Sequence, residues 1–432
     1  MYIPEIEKKS KEEIKRYQET KLHGILSYLN SNSKFYQDLF RNHKIDITKI
    51  KTLEDLVQIP VTTKNDLQKR NKDFLCVDEV KIIDFLSTSG TLGDPVIFAM
   101  TDKDIERLAY NEYISFSCTD STEKDIFQLM VTMDRLFMAG MAYFSGIRKL
   151  GAGIIRVGPG NPELQFDTIK RISPTAFITV PSFIVKLIKY ADTHNFDLNK
   201  TTIKKAVCIG EAIRKDNFEL NTLGEKIKER WDIKLYSTYA STEMGTAFTE
   251  CWKGQGGHHH PEMIIVEFLD DNDQPVKEGE PGEVTITNIG VEGMPLLRFK
   301  TGDICHFHYQ PCECGRNTMR LGPVIGRKQQ LIKFKGTSLY PNSIYDILND
   351  VQNIDNYIVE VYTNELGTDE ILIKIGMNEY NDKFEKELKD NFRAKIRVAP
   401  TFQFMKPAEI AKLKFPEMSR KPISFIDNRI KY

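Results

Sequence analysis

The sequence has no apolar run that approaches the roughly 18 consecutive residues needed to span a bilayer, so a transmembrane segment is not predicted. Residues 1–30 are charged and have the pattern of an amphipathic helix without an apolar h-region. We therefore expect neither a secretory signal nor attachment to a membrane.

Cysteine is scarce, and an excess of charge of either sign is absent. The seven cysteines are an odd number spread over 432 residues, which argues against a disulfide framework and favours a reducing compartment, the cytoplasm. The sequence contains 60 Lys and Arg residues and 61 Asp and Glu residues. The resulting formal net charge of −1 creates no field that attracts nucleic acid. We expect a cytoplasmic protein that binds no nucleic acid.

The composition and the length of the sequence are typical of a globular protein with more than one domain. Hydrophobic residues make up 41% and charged residues 28%, and the length of 432 residues predicts two or three domains. Helix-like and strand-like segments alternate between residues 103 and 210, which predicts βαβ units with parallel strands. From Met263 onward the segments are rich in β-branched residues, with a turn signal at 279–282.

The predicted fold class is α/β, divided into two domains. Residues 1–326 are expected to form an N-terminal domain of βαβ layers, with a β-rich subdomain at about 246–325. Residues 327–432 follow the order β-α-β-β-α-β, which predicts a small, mobile α+β C-terminal domain. The stretch Gly326–Gly336 lies where the pattern changes and is the predicted hinge.

A cluster of hydroxyl and glycine residues follows a predicted buried strand at 82–86. It reads Ser87-Thr88-Ser89-Gly90-Thr91-Leu92-Gly93-Asp94-Pro95. The backbone N–H groups and hydroxyls of such a loop can surround an anion, and a polyphosphate is the natural guest. The loop is not a Walker motif, because G-x-x-x-x-G-K-[ST] is absent. The alternative is a solvated turn.

Two acidic motifs further along the chain also fit a nucleotide. The pair Thr242-Glu243 leaves a predicted strand and would place a carboxylate beside phosphates, where Mg²⁺ would neutralise it. The alternative for this pair is a helix N-cap. Asp303 follows Gly302 and can accept two hydrogen bonds from vicinal ribose hydroxyls, whereas the alternative is a turn between strands.

The order of these motifs is similar to that in the adenylate-forming enzymes, the superfamily of acyl-CoA synthetases, luciferases and peptide-synthetase adenylation domains. Within this superfamily, the chain resembles the phenylacetate–CoA ligase branch over essentially its whole length. The segments that carry this closer resemblance are Tyr2-Ile3-Pro4-Glu5-Ile6-Glu7, Ser33-Lys34-Phe35-Tyr36, Pro60-Val61-Thr62-Thr63-Lys64, Pro181-Ser182-Phe183, Glu250-Cys251 and Phe425-Ile426-Asp427-Asn428-Arg429.

The resemblance implies a two-step reaction with ATP, Mg²⁺ and CoA. A carboxylate attacks the α-phosphate of ATP to give an acyl-adenylate and pyrophosphate, and the thiol of CoA then displaces AMP. The nucleotide-binding residues that it implies are Ser87, Thr88, Ser89, Gly90 and Thr91 for the β- and γ-phosphates, Gly210, Glu211, Ala212 and Tyr239 for adenine, Thr242 and Glu243 for the α-phosphate and Mg²⁺, Asp303 for the ribose, and Arg327 for ribose or phosphate.

The resemblance also implies a catalytic lysine near the C-terminus, whose ammonium group stabilises the transition state of adenylation. Counting back from the segment 425–429 selects Lys421. The alternatives are Lys412, Lys414 and Lys431. We expect the C-terminal domain to rotate about Gln329, bringing Lys421 in for adenylation and the CoA-binding pair Lys335-Gly336 in for thioester formation.

The chain departs from the family pattern at four positions. Asp94 stands where the phosphate loop usually has lysine, and its negative charge would weaken ATP binding. Ala240 replaces a glycine, Gln329 replaces the usual Asp of the hinge, and Arg420 replaces the glycine before the catalytic lysine. These changes predict an atypical member with slow or narrow activity. The alternative is a catalytically weak nucleotide-binding relative.

A Cys-x-Cys motif at 312–314 predicts a metal site. Three thiolates from Cys251, Cys312 and Cys314 and one imidazole would form a closed, structural Zn²⁺ site. Some members of the phenylacetate–CoA ligase branch carry zinc at matching places, and the resemblance selects His258 as the fourth ligand. The alternatives are His259, His260, a set that includes Cys305, His306 or His308, and scattered free thiols.

The resemblance also implies a place for the carboxylate substrate, beside segment 140–146 and the strand that ends at Ala240. Tyr143, Phe144 and Phe183 would stack on an aryl ring, and the alternative for each is core packing. We therefore predict an ATP-dependent carboxylate–CoA ligase for an aryl or arylacetic acid such as phenylacetate. An acyl carrier protein is the alternative acceptor, and monomer and homodimer both stay open.

Overall fold

The computed structural model describes residues 2–88, 96–364, 368–416 and 422–429. The chain forms two compact units, Met1–Val324 and Ile325–Tyr432. The seven cysteines all lie in the described ranges and none forms a disulfide. Among the described helices, none combines the length and the apolar character that a membrane crossing requires.

The first unit contains most of the helices and strands that the structure describes. Its α-helices are α1 (Lys11–Asn32), α2 (Lys34–Asn42), α3 (Lys64–Arg70), α4 (Asp102–Cys118), α5 (Met138–Leu150), α6 (Pro162–Ile172), α7 (Pro181–Thr193) and α8 (Thr222–Arg230). Its strands are β1 (Asp84–Ser87), β2 (Ile97–Met100), β3 (Ile126–Leu129), β4 (Gly153–Arg156), β5 (Ala176–Thr179), β6 (Lys205–Cys208), β7 (Lys234–Ser241), β8 (Thr246–Glu250), β9 (Gly257–His258), β10 (Ile264–Leu269), β11 (Gly282–Asn288), β12 (Phe299–His308) and β13 (Arg320–Arg327), the last of which runs past Val324.

Eleven strands of the described chain form one mixed sheet in the order β10-β11-β12-β13-β9-β8-β7-β6-β5-β3-β4. Neighbours from β4 to β7 pair in parallel, as the alternating pattern predicts. From β7 the pairing with β8, and of β8 with β9, is antiparallel. Strand β7 is therefore the point at which the sheet changes character. The predicted α/β class, with βαβ layers followed by a β-rich part, is confirmed.

Side-chain caps define where two of the larger helices begin. Ser10 and Thr101 each cap a helix in a capping box, α1 with Glu13 and α4 with Asp104. The carboxylate of Asp104 is buried and also accepts a hydrogen bond of 2.8 Å from the backbone N–H of Gly293. The start of α4 is thereby joined to the segment that precedes β12.

The N-terminal helices pack against strands that come much later in the chain. The amide of Gln18 on α1 donates to the carbonyl of Ile264 at 2.9 Å. The backbone N–H of Leu297 donates to the hydroxyl of Tyr36 on α2 at 2.8 Å. The buried leucines of α1 belong to the same core cluster as the apolar side chains of β10–β12, so these helices complete the core of the β-rich part.

The second unit is a small α+β module, as its pattern predicts. Its elements are β14 (Ile332–Phe334), β15 (Thr337–Leu339), α9 (Pro341–Asp350), β16 (Asn356–Thr363), β17 (Asp369–Gly376), α10 (Asp382–Ile396), β18 (Thr401–Met405), α11 (Pro407–Lys414) and β19 (Phe425–Asn428). Four of the described strands form a sheet in the order β18-β17-β16-β19. The apolar faces of this sheet and of α9 and α10 form a core of their own.

Gly146 marks the closest approach of α5 to α4, and it supports a prediction about stability. A Cβ atom at this position would lie 2.2 Å from the Cβ of Glu112. We expect Gly146→Ala to lower the free energy of unfolding by about 1–3 kcal/mol, because the helices would be overpacked. Urea unfolding followed by circular dichroism measures this change.

Gly24→Ala on α1 is the matched control, since no atom lies within 4 Å of the added methyl group. It should be neutral or stabilising by up to about 1 kcal/mol, because alanine is the better helix former. Equal destabilisation by the two substitutions would contradict the close contact of α4 with α5.

Candidate active site and metal centre

Three neighbouring parallel strands bring predicted nucleotide-binding segments to one edge of the large sheet. Thr179 of β5 pairs with Cys208 of β6, and Cys208 pairs with Ser237 of β7. The segments 180–183 and 209–214, which follow β5 and β6, are therefore neighbours of residues 238–243, where β7 continues past the end of β6 and then turns. In open α/β sheets, ligands bind beyond the carboxyl ends of the strands.

The loop Gly210–Ala212, which the resemblance assigns to adenine, is held by its own residues. Gly210 has a φ of 72°, in the left-handed region that favours glycine. The carboxylate of Glu211 accepts hydrogen bonds of 2.8 Å from both the backbone N–H and the hydroxyl of Ser182, at the start of α7. A carboxylate is favourable at a helix N-terminus, so Glu211 ties this loop to α7.

Tyr239, which the resemblance assigns to adenine, and Asp303, which it assigns to the ribose, are in direct contact. The hydroxyl of Tyr239 donates to Oδ2 of Asp303 at 2.7 Å, which joins β7 to β12. Burial raises the pKa of Tyr239 well above its usual value, and the nearby Asp303 carboxylate raises it further. The phenol therefore stays protonated and remains a hydrogen-bond donor to Asp303. The structure thus brings the residues expected at adenine and ribose to one place.

Thr242 and Glu243 lie in the turn between β7 and β8, so they do not begin a helix as the N-cap alternative requires. Side chains from other elements hold this turn. Nη1 of Arg107 donates to the carbonyl of Gly245 at 2.7 Å, and Nδ2 of Asn288 donates to the carbonyl of Glu243 at 3.4 Å. Thr242 and Glu243 line a cavity of about 30 Å³. Among the described residues, no hydrogen bond or ion pair engages the carboxylate of Glu243.

Ser87 and Thr88 form the base of the predicted phosphate loop and are buried. The hydroxyl of Ser87 donates to the carbonyl of Thr88 at 3.2 Å, and the hydroxyl of Thr88 accepts from the backbone N–H of Val96 at 3.1 Å. Both hydroxyls therefore form hydrogen bonds with the described residues that flank the loop. The remaining residues of this prediction, and the catalytic candidate near the C-terminus, lie outside the described residues: Ser89, Gly90, Thr91, Asp94, Arg420 and Lys421.

The residues predicted to contact the acyl group have different surroundings. Tyr143 on α5 is buried in a core cluster, with its ring 6.0 Å from that of Phe116. Phe144 is half-buried, and Phe183 packs against the core beneath α7. Ala240 is exposed on β7. Core packing thus accounts for Tyr143 and for the packed part of the Phe183 side chain.

The predicted hinge is anchored to the second unit by one arginine. The guanidinium of Arg429, just after β19, donates to the carbonyls of Gln329 (2.8 Å) and Leu331 (2.7 Å). Arg327 is exposed. The CoA-binding candidates Lys335 and Gly336 are also exposed, in the turn between β14 and β15, and both have positive φ, 48° and 79°.

The four predicted zinc ligands come together: Cys251, His258, Cys312 and Cys314. Their ligand atoms all lie within 4.8 Å of one another. Sγ of Cys251 is 3.6 Å from Sγ of Cys312, and Sγ of Cys314 is 3.5 Å from Nε2 of His258. A tetrahedral Zn²⁺ ion with ordinary bond lengths separates two sulfurs by about 3.8 Å and a sulfur from a nitrogen by about 3.6 Å. The spacing of these donor atoms therefore fits zinc.

The other two histidines of this segment are engaged elsewhere. The Nε2 of His259 donates to the carbonyl of Ile264 at 2.6 Å, and burial lowers the pKa of His259 to about 4. Nδ1 of His260 contacts the carboxylate of Glu7. The remaining alternatives, Cys305, His306 and His308, lie on β12 outside the four-residue cluster.

A buried ion pair lies next to this cluster. The Nε of Arg316 donates to Glu7 at 2.7 Å, and Nη1 of Arg316 points to Sγ of Cys314 at 3.6 Å. Both Arg316 and Glu7 are fully buried. A cation that faces a ligand sulfur favours its thiolate form, and such outer contacts orient metal ligands. Through its carboxylate, Glu7 joins the 3₁₀ helix Glu5–Lys8 to Arg316 and His260.

Several residues that shape the site carry no motif in the sequence. Arg107 and Asn288 hold the turn at Glu243 through backbone carbonyls, and Glu250 joins segments that are distant in sequence. A pattern search cannot detect such residues, because their partners are main-chain atoms or lie far along the chain. The only signal was the pair Glu250-Cys251, which the resemblance marks without giving it a role.

Comparison with known proteins agrees with the resemblance. The chain is 26% identical to the phenylacetate–coenzyme A ligase of Thermus thermophilus over 389 residues, which cover 88% of this chain and 85% of that protein. It is 24% identical to the phenylacetate–coenzyme A ligase of Escherichia coli (strain K12) over 391 residues, or 87% of this chain and 85% of that protein.

Solved structures share the fold. The crystal structure of 2-hydroxyisobutyryl-CoA ligase with 2-HIB-AMP, in the postadenylation state, superposes with a TM-score of 0.84 at 20% identity and covers 99% of this chain and 94% of that one. The sequence profile of the family described as AMP-binding enzyme matches residues 36–293, more than half of the chain. The chain belongs to the AMP-binding enzyme family.

Proposed function

We propose that the protein is an ATP-dependent carboxylate–CoA ligase. In the first step a substrate carboxylate oxygen attacks the α-phosphorus of ATP, the bond to the β-phosphate breaks, and pyrophosphate leaves. In the second step the sulfur of CoA attacks the acyl carbon, the carbon–oxygen bond to AMP breaks, and the thiol proton is released. The observation that carries this proposal is the contact between Tyr239 on β7 and Asp303 on β12, and the phenylacetate–coenzyme A ligase relatives support it.

Different residues around this contact would bind different parts of the nucleotide. Adenine would lie along the loop Gly210–Ala212 and the ring of Tyr239, and the carboxylate of Asp303 would accept from the ribose hydroxyls. Thr242 and Glu243 would face the α-phosphate. Mg²⁺ that arrives with ATP would be held by Glu243 and phosphate oxygens, and would neutralise phosphate charge. The cluster 87–91 would bind the β- and γ-phosphates.

The acid that we propose as substrate is an aryl or arylacetic acid such as phenylacetate. The curated relatives are named for phenylacetate, which supports this choice. Phe144, Phe183 and Ala240 would line the acyl site, with Tyr143 behind them. Reduced thiols in the cysteine cluster suit a reducing compartment, and we propose the cytoplasm.

We further propose that the C-terminal domain alternates between two positions during the cycle. Lys421 would stabilise charge at the α-phosphate during adenylation, and Lys335-Gly336 would meet CoA during thioester formation. The two bonds from Arg429 hold Gln329 and Leu331 against the second unit. The rotation would therefore occur before this anchored segment or by release of its Gln329 bond.

Finally, we propose that Cys251, His258, Cys312 and Cys314 hold one structural Zn²⁺ ion. The donor distances fit a tetrahedral ion, and hydrogen bonds with the Cys251 and Cys312 thiols lower the pKa of Cys314, which favours a thiolate. Four protein ligands leave no open coordination position, so this ion would stabilise the structure and take no part in the chemistry.

Pyrophosphate exchange with a panel of aryl acids tests the proposed activity. We expect exchange with one or more of these acids in the wild-type protein, and a decrease of at least about tenfold in Glu243→Gln, because a neutral amide holds Mg²⁺ poorly. Glu225→Gln, an exposed acid on α8, is the control and should exchange normally. Absence of exchange with every acid would indicate a weak nucleotide-binding relative. If AMP is released only when a carrier protein is present, the acceptor of the acyl group is that carrier protein and not CoA.

Lys421→Ala separates the two steps. We expect adenylation to slow by about 10²- to 10³-fold, because a preorganised cation is lost, while preformed acyl-adenylate reacts with CoA at nearly the wild-type rate. Single-turnover kinetics of each step measures the two rates, and Lys412→Ala is the control. Equal loss of both steps would contradict the proposed division of labour.

Metal analysis tests the zinc site. The wild-type protein should contain about one zinc per chain, whereas Cys312→Ser should lose zinc and unfold at a temperature lower by more than about 4 °C, because the ion crosslinks three segments. Cys76→Ser, a buried cysteine outside the cluster, should keep its zinc. Retention of zinc in Cys312→Ser would remove this residue from the ligand set.

A further inference from the structure

Glu250 lies between two proposed sites. One is the cysteine cluster, formed by Cys251, His258, Cys312 and Cys314, and the other is the nucleotide edge, the edge of the large sheet that carries the loop Gly210–Ala212. Glu250 is the last residue of β8, it directly precedes Cys251, and its side chain is only 1% exposed. Its carboxylate accepts a hydrogen bond of 2.7 Å from the backbone N–H of Ser237 on β7. It also accepts two hydrogen bonds from Arg214, from Nε at 2.6 Å and from Nη2 at 3.0 Å.

Arg214 belongs to the segment that continues from the proposed adenine loop. It lies two residues after Ala212, and its Nη1 donates to the carbonyl of Phe218 at 2.9 Å. The main chain of Arg214 also pairs with Leu220. These bonds hold residues 214–220 in a closed loop. The position of the Arg214 guanidinium therefore fixes the end of the adenine loop, which lies just before this segment in the chain.

The same guanidinium packs against the turn that carries the first cysteine ligand. The backbone N–H of Gly254 donates to the carbonyl of Cys251 at 2.9 Å and closes this turn. Gly254 has a φ of 63°, and a Cβ atom there would lie 2.3 Å from Nη2 of Arg214. The turn and the guanidinium are therefore in contact with no space between them.

The ion pair of Arg214 and Glu250 leaves little freedom to either side chain. A buried charge without its partner costs several kcal/mol, so the two groups must move together. Displacement of the Cys251 turn would move Glu250 through the adjacent peptide bond, and Arg214 through both the ion pair and the contact at Gly254. The adenine loop and β7, which Glu250 holds through Ser237, would be displaced in turn.

We infer that the Arg214–Glu250 ion pair couples metal binding at the cysteine cluster to nucleotide binding at the sheet edge. This inference rests on the proposed function and on zinc in the cluster. The metal fixes the Cys251–Gly254 turn, the ion pair transmits that order to the loop Gly210–Ala212, and the loop binds AMP more tightly. Arg214 and Glu250 are positioning residues, since neither is assigned a contact with the nucleotide.

Coupling of two binding sites is reciprocal, which supplies a sharp test. We expect removal of zinc to raise the dissociation constant of AMP at least about fivefold, and we expect saturating AMP to lower the zinc dissociation constant by an equal factor. Isothermal titration calorimetry measures AMP binding to the zinc-loaded and zinc-free full chain. A chromophoric chelator reports the release of zinc from the loaded chain, with and without AMP.

Arg214→Met should abolish the coupling in both directions, and Arg214→Lys, which keeps a cation opposite Glu250, should restore part of it. Lys205→Met is the matched control. Lys205, at the amino end of β6 and opposite the nucleotide edge, forms a largely buried ion pair with Asp125. This variant should lose stability while it keeps the full effect of AMP on zinc release.

The possible results separate the inference from the proposals beneath it. Equal AMP affinity with and without zinc, together with AMP-independent zinc release, would overturn the coupling and leave the ligase proposal intact. Failure of the zinc-loaded wild-type chain to bind AMP would overturn the proposed function as well, and failure to bind zinc would remove the metal site and the coupling. If the zinc-free chain unfolds, its AMP affinity cannot be measured. The comparison of zinc release from the loaded chain with and without AMP then decides whether the two sites are coupled.

Discussion

Strand β7 is the constraint on which the rest of the site depends. On one side it pairs in parallel with β6, so its carboxyl end shares an edge with the loop Gly210–Ala212. On its other side it pairs antiparallel with β8, whose last residue leads into the cysteine cluster. A single strand thus links a βαβ layer, which presents loops at one edge, to a β-rich part, which presents ligands at its turns.

Much of this architecture could be predicted because it depends on patterns of residues that are close together in the sequence. The alternation between residues 103 and 210 predicts βαβ units, and strands β3 to β7 do pair in parallel, since buried parallel strands and amphipathic helices have distinct periods. The Cys-x-Cys spacing pointed to the cluster at Cys312 and Cys314, which the fold completes with Cys251 and His258. The resemblance assigns Tyr239 and Asp303 to adenine and ribose, and the two residues are hydrogen-bonded to each other.

The residues that prediction missed act over long distances in the sequence. Arg107 reaches the carbonyl of Gly245, 138 positions later, and Glu7 pairs with Arg316 across 309 positions. Neither distance nor partner is visible before the chain is folded. The N-cap alternative for Thr242-Glu243 was wrong for a related reason: a capping pattern is local, but the pairing of β7 with β8 turns the chain back before a helix can begin.

The tie between α1 and β10 has a consequence for synthesis on the ribosome. Gln18 donates to a carbonyl 246 residues further along the chain. At ordinary translation rates of 5–20 residues per second, roughly 12–50 seconds pass before that acceptor is made. During this interval Leu22, Leu26 and Leu29, which end up buried, lack strands β10–β12 of their own core cluster. We therefore expect the nascent N-terminal helices to bind chaperones that shield apolar surface until these strands have been made.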